Sequence, residues 1–538
     1  MLDVAIIGGG VCGLVLAREL AEKGVSFALF EARERFGGRA LSVWNRTSGQ
    51  RLDLGPTWIW PETEPNVCAL VDSLGLKRFD QHDPGAVLYL DDPEKSPAER
   101  AQPGLHAGAQ RIEGGMGALV QALAAAAPPE SLRLGWRLIA TRDIGDHVEL
   151  DFETSGKTET VVAKRVVIAV PPRLVAERMA FSPPLAEHLL AAMEDTPTWM
   201  AFAAKAVAGY SGAPDWRTQG RSGNAFVTHH QAALSEVFDA CDASGEKAAL
   251  GGFFALTPEL RESFRVGLQI LVESQFVQLF GMGVADGETQ IQDWSLEPLT
   301  CADADRYPLA ERPIYGSTLL ARPQWRGKLF LGGSETAREG GGHVEGAVNA
   351  AMRICEQITA NRGEFGAISS DLSASPEKVN ELCLERFAAW AAAQRAPTFA
   401  IYRRRLVESL SRGQREQLTQ RAMLGAVEET LGAALIVIED LPFDAARVAV
   451  ERGRSDLTPK VQAAFNGFFQ ELLDSVVEFN QTSCALSNFP DEHHPSKDYI
   501  STTLRDVAAA WREFSLDANG LLIEKRGRER ERATRSAG

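Results

Sequence analysis

The stretch that most constrains this chain is its N-terminal strand, turn, helix and second strand. Asp3-Val4-Ala5-Ile6-Ile7 is a short apolar run that reads as a buried parallel strand. Gly8-Gly9-Gly10-Val11-Cys12-Gly13 follows at once in the pattern G-x-G-x-x-G, and Leu14 to Gly24 has helical periodicity closed by a glycine. A second strand, Val25 to Phe30, ends at Glu31. Each part has a physical task. Gly8 allows the tight turn, Gly10 lets a pyrophosphate approach bare backbone, and Gly13 lets the helix lie close to the strand. The helix start, with Val11 and Cys12, offers free N–H groups and a partial positive charge to phosphates. Glu31, eighteen residues beyond Gly13, is placed to accept hydrogen bonds from a ribose hydroxyl. A βα turn without a ligand leaves the acid at the end of the second strand unexplained. The unit therefore predicts dinucleotide binding at the head of an α/β domain.

The next residues narrow the dinucleotide. Glu31-Ala32-Arg33-Glu34-Arg35-Phe36-Gly37-Gly38-Arg39 is a carboxylate followed by a basic, double-glycine turn, which can bring Arg39 and the backbone of Gly38 up to a diphosphate. This stretch resembles the FAD-dependent amine oxidase superfamily: monoamine and polyamine oxidases, histone demethylase oxidase domains and bacterial L-amino acid oxidases. Nicotinamide dehydrogenases lack the second glycine turn. The resemblance implies an α/β chain of mixed α+β character. It would have a Rossmann-like FAD-binding domain and an interleaved substrate domain of mixed sheet and helices. It also implies cofactor contacts at Ala32, Arg33, Gly38 and Arg39.

Later segments carry the same resemblance. Asp53-Leu54-Gly55-Pro56-Thr57 is a D-x-G segment of the kind that passes beside the flavin ring, with Gly55, Pro56 and Thr57 against it. Its plain alternative is a strand followed by a Gly-Pro turn. Gln110 to Leu119 resembles the family's Gly-Gly turn opening a helix, here expected over 117–125. Alternation predicts strands at 132–139 and 147–152, and the resemblance implies that Arg137 or Leu138 touches the adenine side. Lys164 to Pro172 is similar to the family's third sheet strand with its proline exit, which makes Val170 a contact.

In Trp199 to Tyr210, alternation puts Ala201, Ala203 and Lys205 on one face of a strand, and a lysine there is unusual. Family members carry a similar lysine before a Tyr…Trp segment, echoed by Tyr210 and Trp216; the resemblance implies that Lys205 holds a water at flavin N5. A solvent-facing edge lysine is the bland alternative. Trp294 leads a segment similar to the family's approach to the flavin, and Cys301 is close behind. Some members bind FAD covalently through a nearby cysteine. Here the spacing is shorter and Ala302-Asp303-Ala304 lacks the accompanying aromatic, so non-covalent FAD is expected. Gly333, Ser334 and Glu335 form a turn in which Glu335 can bond a ribityl or ribose hydroxyl. The helix opening at Val344, with Ala347, can face flavin O2 and stabilise negative charge there. His343 stands where monoamine oxidases place an aromatic cage residue, and it can bond a substrate carboxylate or hydroxyl. Lys205, His343 and Trp294 are the expected active-site side chains.

Bulk properties set limits. A net charge of −16 over 538 residues argues against general nucleic-acid binding and against an anionic membrane surface. Met1 leads straight into the first strand, so no secretory signal is expected, and the longest apolar run, 433–438, is far too short to span a membrane. Seven scattered cysteines (Cys12, Cys68, Cys241, Cys301, Cys355, Cys383 and Cys484) lack C-x-x-C spacing and fit reduced thiols in a cytoplasm. The adjacent pairs His229-His230 and His493-His494 read as surface histidines, and no metal site is expected.

The expected domains are FAD-binding at 1–60, 105–185 and 321–362, and substrate-binding at 61–104 and 186–320, with a helix near 66–75. A linker at 363–375 leads to an all-α domain at 376–520, then to a charged, disordered tail at 521–538. N-cap signals at Ser375-Pro376 and Thr458-Pro459 open helices, with others near 398–411, 413–431 and 499–515, and the Thr458 helix running over 459–480. The resemblance does not cover this domain, which is read as a homodimerisation element or structural cap. Covering the substrate channel or binding another protein are its alternatives.

The expected reaction is oxidation of the C–N bond of an amine or amino acid to an imine, which hydrolyses to a carbonyl plus ammonia or an amine. O2 would reoxidise the flavin to give H2O2, and the cofactor would carry the hard step. Rival readings are a flavin desaturase, a monooxygenase, or a flavin-stabilised binding protein acting through 376–520.

Overall fold

The computed structural model describes residues 1–102, 104–307, 313–325, 327–360, 376–411, 417–443, 448–483, 486 and 489–536. The chain forms two compact units, Met1–Arg362 and Gly363–Gly538. The expected linker 363–375 and Cys484 lie outside the described residues.

The first unit is built on two sheets. The eight-stranded one centres on three parallel strands, Lys157–Ile168, Leu2–Ile7 and Phe27–Phe30, with Ile7 opposite both Ile168 and Phe30. Along its other edge, Lys157–Ile168 pairs first with antiparallel Val148–Thr154 and then, through Val166–Ile168, with parallel Leu329–Leu331. Both faces of Leu2–Ile7 are dry. Val4 and Ile6 pack with helices Val11–Glu22, Met116–Ala125 and Val344–Ala360, while Ala5 and Ile7 pack with Phe152, Leu189 and Met193. That two-sided burial explains the unbroken apolar run at the start of the sequence.

The seven-stranded sheet runs in the order Glu288–Asp293, Ala204–Gly209, Ala249–Phe254, Leu234–Asp239, Arg221–Val227, Ala86–Leu90 and Ala98–Ala101. It is antiparallel except where Arg221–Val227 meets Ala86–Leu90. Helix Leu268–Phe280 covers one face through Val272, Phe276 and Leu279. The other face, through Val207, Phe238 and Ala249, packs on Leu52 and Leu54 of the D-x-G segment.

Four details depart from the sequence reading. Helix Glu187–Glu194 belongs with the first sheet, because Leu189 and Met193 bury themselves in that core; the chain crosses to the second sheet after it, not at 186. The strand carrying Lys205 starts only at Ala204: Trp199–Ala203 is a turn with Met200 at φ 58°, so the alternation of Ala201 and Ala203 with Lys205 does not describe a strand face. The strand expected at 132–139 is split at Gly135, whose φ is 71°, into Leu132–Arg133 and the start of Arg137–Asp143. The third sheet strand begins at Lys157 rather than Lys164.

The second unit packs helices Pro376–Ala393, Arg395–Ser411, Leu418–Asp440, Leu457–Ala463, Phe468–Thr482, Pro490–His493 and Lys497–Ser536. They surround a core that includes Phe387, Tyr402, Phe465, Phe468 and Phe514. A buried polar cluster pins it. The Tyr402 hydroxyl donates to Asn480 Oδ1 at 2.6 Å, and Glu492 accepts from the N–H groups of Leu418 and Thr419 at the start of their helix. The helix expected over 459–480 is broken in two around Gly467, and Thr458 does not cap it; its hydroxyl donates to Asn519 instead. Nor does the charged tail leave the fold at 521, because the last helix continues to Ser536. Arg, Lys and Glu are good helix formers. Lys525 donates to the carbonyls of Glu439 and Leu441, where a cation complements the end of helix Leu418–Asp440. Among the described residues no helix is long and apolar enough to cross a membrane, and no group of three or more metal-ligating side chains occurs.

Candidate cofactor cleft and active-site chamber

A cavity of about 460 Å³ runs through the first unit, from the carboxyl ends of the parallel strands to the face of the second sheet. Its volume lies in the range of small-molecule and cofactor sites. At the strand end the walls are Gly8, Gly10, Val11, Glu31, Ala32, Arg33, Gly38 and Arg39, joined by Arg137, Leu138 and Val170. Gly55, Pro56, Thr57, Lys205, Trp294, Ser334, His343, Val344 and Ala347 line the rest.

The glycines do different jobs, and each is visible. A Cβ on Gly13 would sit 2.0 Å from the carbonyl oxygen of Gly8, and one on Gly8 would meet that of Ala169 at 2.6 Å. These two glycines serve packing. A Cβ on Gly10 would meet nothing within 4 Å, because the residue faces open cavity. Helix Val11–Glu22 starts at Gly10 with no side-chain cap and no acid in its first turn. Gly37 donates to the Gly9 carbonyl and bridges Gly10, so the double-glycine turn lies directly against the first glycine loop. Glu31 is held by N–H groups at both oxygens, from Gly9 at 2.7 Å and Arg33 at 2.9 Å. An uncapped helix start, a bare glycine face and a fixed acid at the end of the second strand together fit a dinucleotide.

Four expected contacts are not on the cavity wall: Cys12, Gly13, Gly333 and Glu335. Cys12 is buried, with its sulfur accepting from the Gly333 N–H at 3.2 Å. Glu335 is fully buried and committed to Arg39, which donates to its two oxygens at 2.6 and 2.9 Å; Ser334 Oγ and Trp199 N also donate to it. Burial works against both charges. Even so, Glu335 holds the Arg39 guanidinium above its usual range, and Arg39 holds the Glu335 carboxyl below the usual carboxylate range. Glu335 therefore orients Arg39 at the cavity wall.

Lys205 is strongly perturbed by its burial on the wall. Its side chain is buried, Nζ donates to the Gly55 carbonyl at 2.9 Å and to the Thr57 hydroxyl, and the rings of Phe238, Phe253 and Trp58 stand 5.0 to 5.9 Å away. Burial pushes the ammonium down to about 7, against the opposing pull of Asp53. Asp53 is itself pushed above the carboxylate range by burial, and it accepts from Met116 N and Ser42 Oγ. Trp294 is buried and donates to the Leu54 carbonyl at 3.0 Å. Cys301 is off the wall, and burial pushes its thiol up to about 12.

Sequence reasoning missed much of the chamber. Trp58, Trp60, Glu64, Trp199 and Phe253 all line it. Glu64 accepts from the Trp60 N–H at 2.9 Å and pairs with His343 Nδ1 at 3.0 Å. Only Trp58-x-Trp60, directly after Gly55-Pro56, offered a signal.

A Rossmann-like cleft that ends against a second, mostly antiparallel sheet defines the class, a flavin-dependent oxidoreductase fold. Residues 11–103 and 94–359 match the flavin containing amine oxidoreductases, and the chain belongs to that family. Putrescine oxidase of Kocuria rosea is 40% identical over 89 residues, 16% of this chain and 18% of that protein. Flavin-containing amine oxidase A of Bos taurus is 40% identical over 79 residues, 15% of each chain. The aligned stretches thus span less than a fifth of these relatives' own lengths. The solved structure of putrescine oxidase bound to putrescine covers 67% of this chain and 99% of its own, at 20% identity and a TM-score of 0.55. Cyclohexylamine oxidase from Brevibacterium oxydans IH-35A covers 68% of this chain and 100% of its own, at 19% identity and a TM-score of 0.54. These likenesses establish the fold of the first unit.

Proposed function

We propose that this chain is an FAD-dependent oxidase of a small amine or amino acid, with FAD held non-covalently. The observation that carries the reading is a single cavity joining a dinucleotide cradle to an aromatic chamber with a buried lysine. Gly8, Gly10, Val11, Glu31, Arg33, Gly38 and Arg39 would hold the nucleotide and diphosphate, Gly55–Thr57 the ring, and the start of helix Val344–Ala360 its electron-rich edge. When bound, FAD supplies the hydride acceptor for a C–H bond next to nitrogen, and O2 returns it to the oxidised form with release of H2O2.

The protein's own contribution is positioning and exclusion of water. Trp58, Trp60, Trp199 and Phe253 make an apolar box for a small substrate. Lys205, poised near neutrality by burial, can hold a water and pass a proton beside the ring. A buried Cys301 thiol that stays protonated supports non-covalent binding. We assign the chain to the cytoplasm from its scattered cysteines, and the helical unit to homodimerisation through its own exposed side chains, Val407 and Leu516 among them. The test is anaerobic titration of the flavin absorbance with putrescine, benzylamine, cyclohexylamine and L-leucine. Bleaching by one class, reversed by air with H2O2 release, supports the oxidase. Bleaching that air does not reverse points to a desaturase or dehydrogenase, and no bleaching removes amine oxidation.

A further inference from the structure

The chamber contains one carboxylate–imidazole pair that the reaction outlined above does not use. His343 Nδ1 lies 3.0 Å from Glu64 Oε1, and both residues line the cavity beside Trp60 and Trp199. Glu64 is fixed from behind. Its Oε2 accepts the Trp60 N–H at 2.9 Å, and its own N–H donates to the Trp60 carbonyl at 2.7 Å, so the carboxylate cannot swing away from the ring. The His343 backbone is fixed as well, donating to Gly340 and accepting from Ala347 as the next helix begins. With a carboxylate at Nδ1, the neutral imidazole carries its proton there, which makes Nε2 the basic nitrogen.

We propose that His343, oriented by Glu64, takes the proton from the substrate's ammonium group and so prepares the neutral amine. The inference rests on the amine oxidase reading above. An alkylamine arrives as a cation, since its pKa is about 10 like that of a lysine, and only the neutral amine has the nitrogen lone pair that forms the C=N bond. In the step, one N–H bond of the ammonium breaks and an N–H bond to Nε2 forms. The electron pair stays on the substrate nitrogen, and the positive charge moves to an imidazolium facing the Glu64 carboxylate. The imidazolium returns its proton to water after product leaves. No oxidant is needed for this transfer.

Among the described residues, five charged or titratable groups near His343 have partners of their own. Glu345, on its own helix, accepts from Asn66 and from the Val67 N–H. Arg39 and Glu335, behind Trp199, hold each other. Tyr315, packed under Gly341 and Gly342, donates to the Pro197 carbonyl, and burial keeps its hydroxyl protonated. Lys205 also lines the chamber, held by Gly55 and Thr57. Glu64, 3.0 Å from Nδ1, is placed to balance an imidazolium at this position.

The experiment counts protons on binding. The flavin-loaded chain is titrated calorimetrically near pH 7, in buffers of different ionisation enthalpy. The ligand is the counterpart of the first amine in the panel that bleaches the flavin, with a methyl group in place of every hydrogen on each carbon bonded to nitrogen; it has no such hydrogen to lose and does not turn over. The wild type is expected to release no net proton, because the proton passes to His343. H343N is expected to release one proton per ligand, because only the neutral amine binds. Its kcat/KM for the oxidisable amine should then fall about tenfold per pH unit below the amine's own pKa. E64Q keeps the shape of the pair and should give an intermediate proton count with unchanged flavin content; it serves as the test even if H343N does not fold. Identical proton counts and parallel pH profiles in all three proteins overturn the proposal and leave amine oxidation standing. A wild type that is bleached by no amine overturns both.

Discussion

Replacing Lys205 by Met gives the most quantitative test of the chamber. The lysine is 2% exposed, and burial brings its ammonium from the ordinary 10.5 to about 7. At about 1.4 kcal/mol per pKa unit, that represents about 5 kcal/mol of strain on the folded, charged form. Between pH 7 and 10.5 the unfolded chain holds a proton that the folded chain has released, so raising the pH stabilises the wild type across this window. Below about pH 7 both states are protonated and the whole cost stands; above 10.5 neither is, and it vanishes. Lys205→Met abolishes the dependence. It also loses the bonds to the Gly55 carbonyl and the Thr57 hydroxyl, which shifts the variant's curve as a whole and leaves its slope alone. The assay is urea unfolding of both flavin-loaded proteins, followed by tryptophan fluorescence at several pH values. The wild type should gain about 5 kcal/mol on the variant between the two ends of the window. Parallel curves would mean that Lys205 is hydrated in the native state, and the argument for a neutral, proton-passing amine would fall with them.

Other outcomes follow from single contacts. Gly10→Ala points a methyl into the cavity without meeting protein, so the flavin-free chain should keep its melting temperature while flavin content drops; Gly13→Ala, clashing with the Gly8 carbonyl, should lose both. Glu335→Gln breaks the buried pair with Arg39 and should cost about 3–5 kcal/mol, read by unfolding, along with weakened flavin retention in gel filtration. Cys301→Ala should change neither flavin content nor its release, with all flavin appearing in the supernatant after acid precipitation of both proteins.

What the sequence disclosed was local. Gly8, Gly10, Gly13 and Glu31 announce themselves because a turn, a close approach and a strand end each demand a residue type at fixed spacing. Lys205 stood out because a lysine in an apolar run is rare, and it is buried as that rarity suggested. Its strand was nevertheless misread at the start, since Trp199–Ala203 alternates in composition but turns in space. Glu335 was recognised as important, but its pairing with Arg39 was not foreseen. Its guanidinium partner lies 296 residues away, a relation no spacing rule reaches. Glu64, Trp199 and Phe253 were illegible for the same reason: the chamber walls come from segments far apart in the chain, as in the contacts of Glu64 with His343 and of Trp199 with Glu335. The tail was misjudged because the charges that suggest disorder are also favourable to helix.

Strand Leu329–Leu331 sets the order in which the first unit can be assembled. It completes the parallel sheet against Val166–Ile168, and the Glu335 that follows it locks Arg39. On a ribosome adding about 5–20 residues per second, the first glycine loop therefore waits some tens of seconds for its last neighbour. During that interval the apolar face later covered by helix Val344–Ala360 has no partner from its own chain. Such non-local closure makes for slow folding, so the nascent chain carries this uncovered apolar face until its last sheet strand and helix have been made.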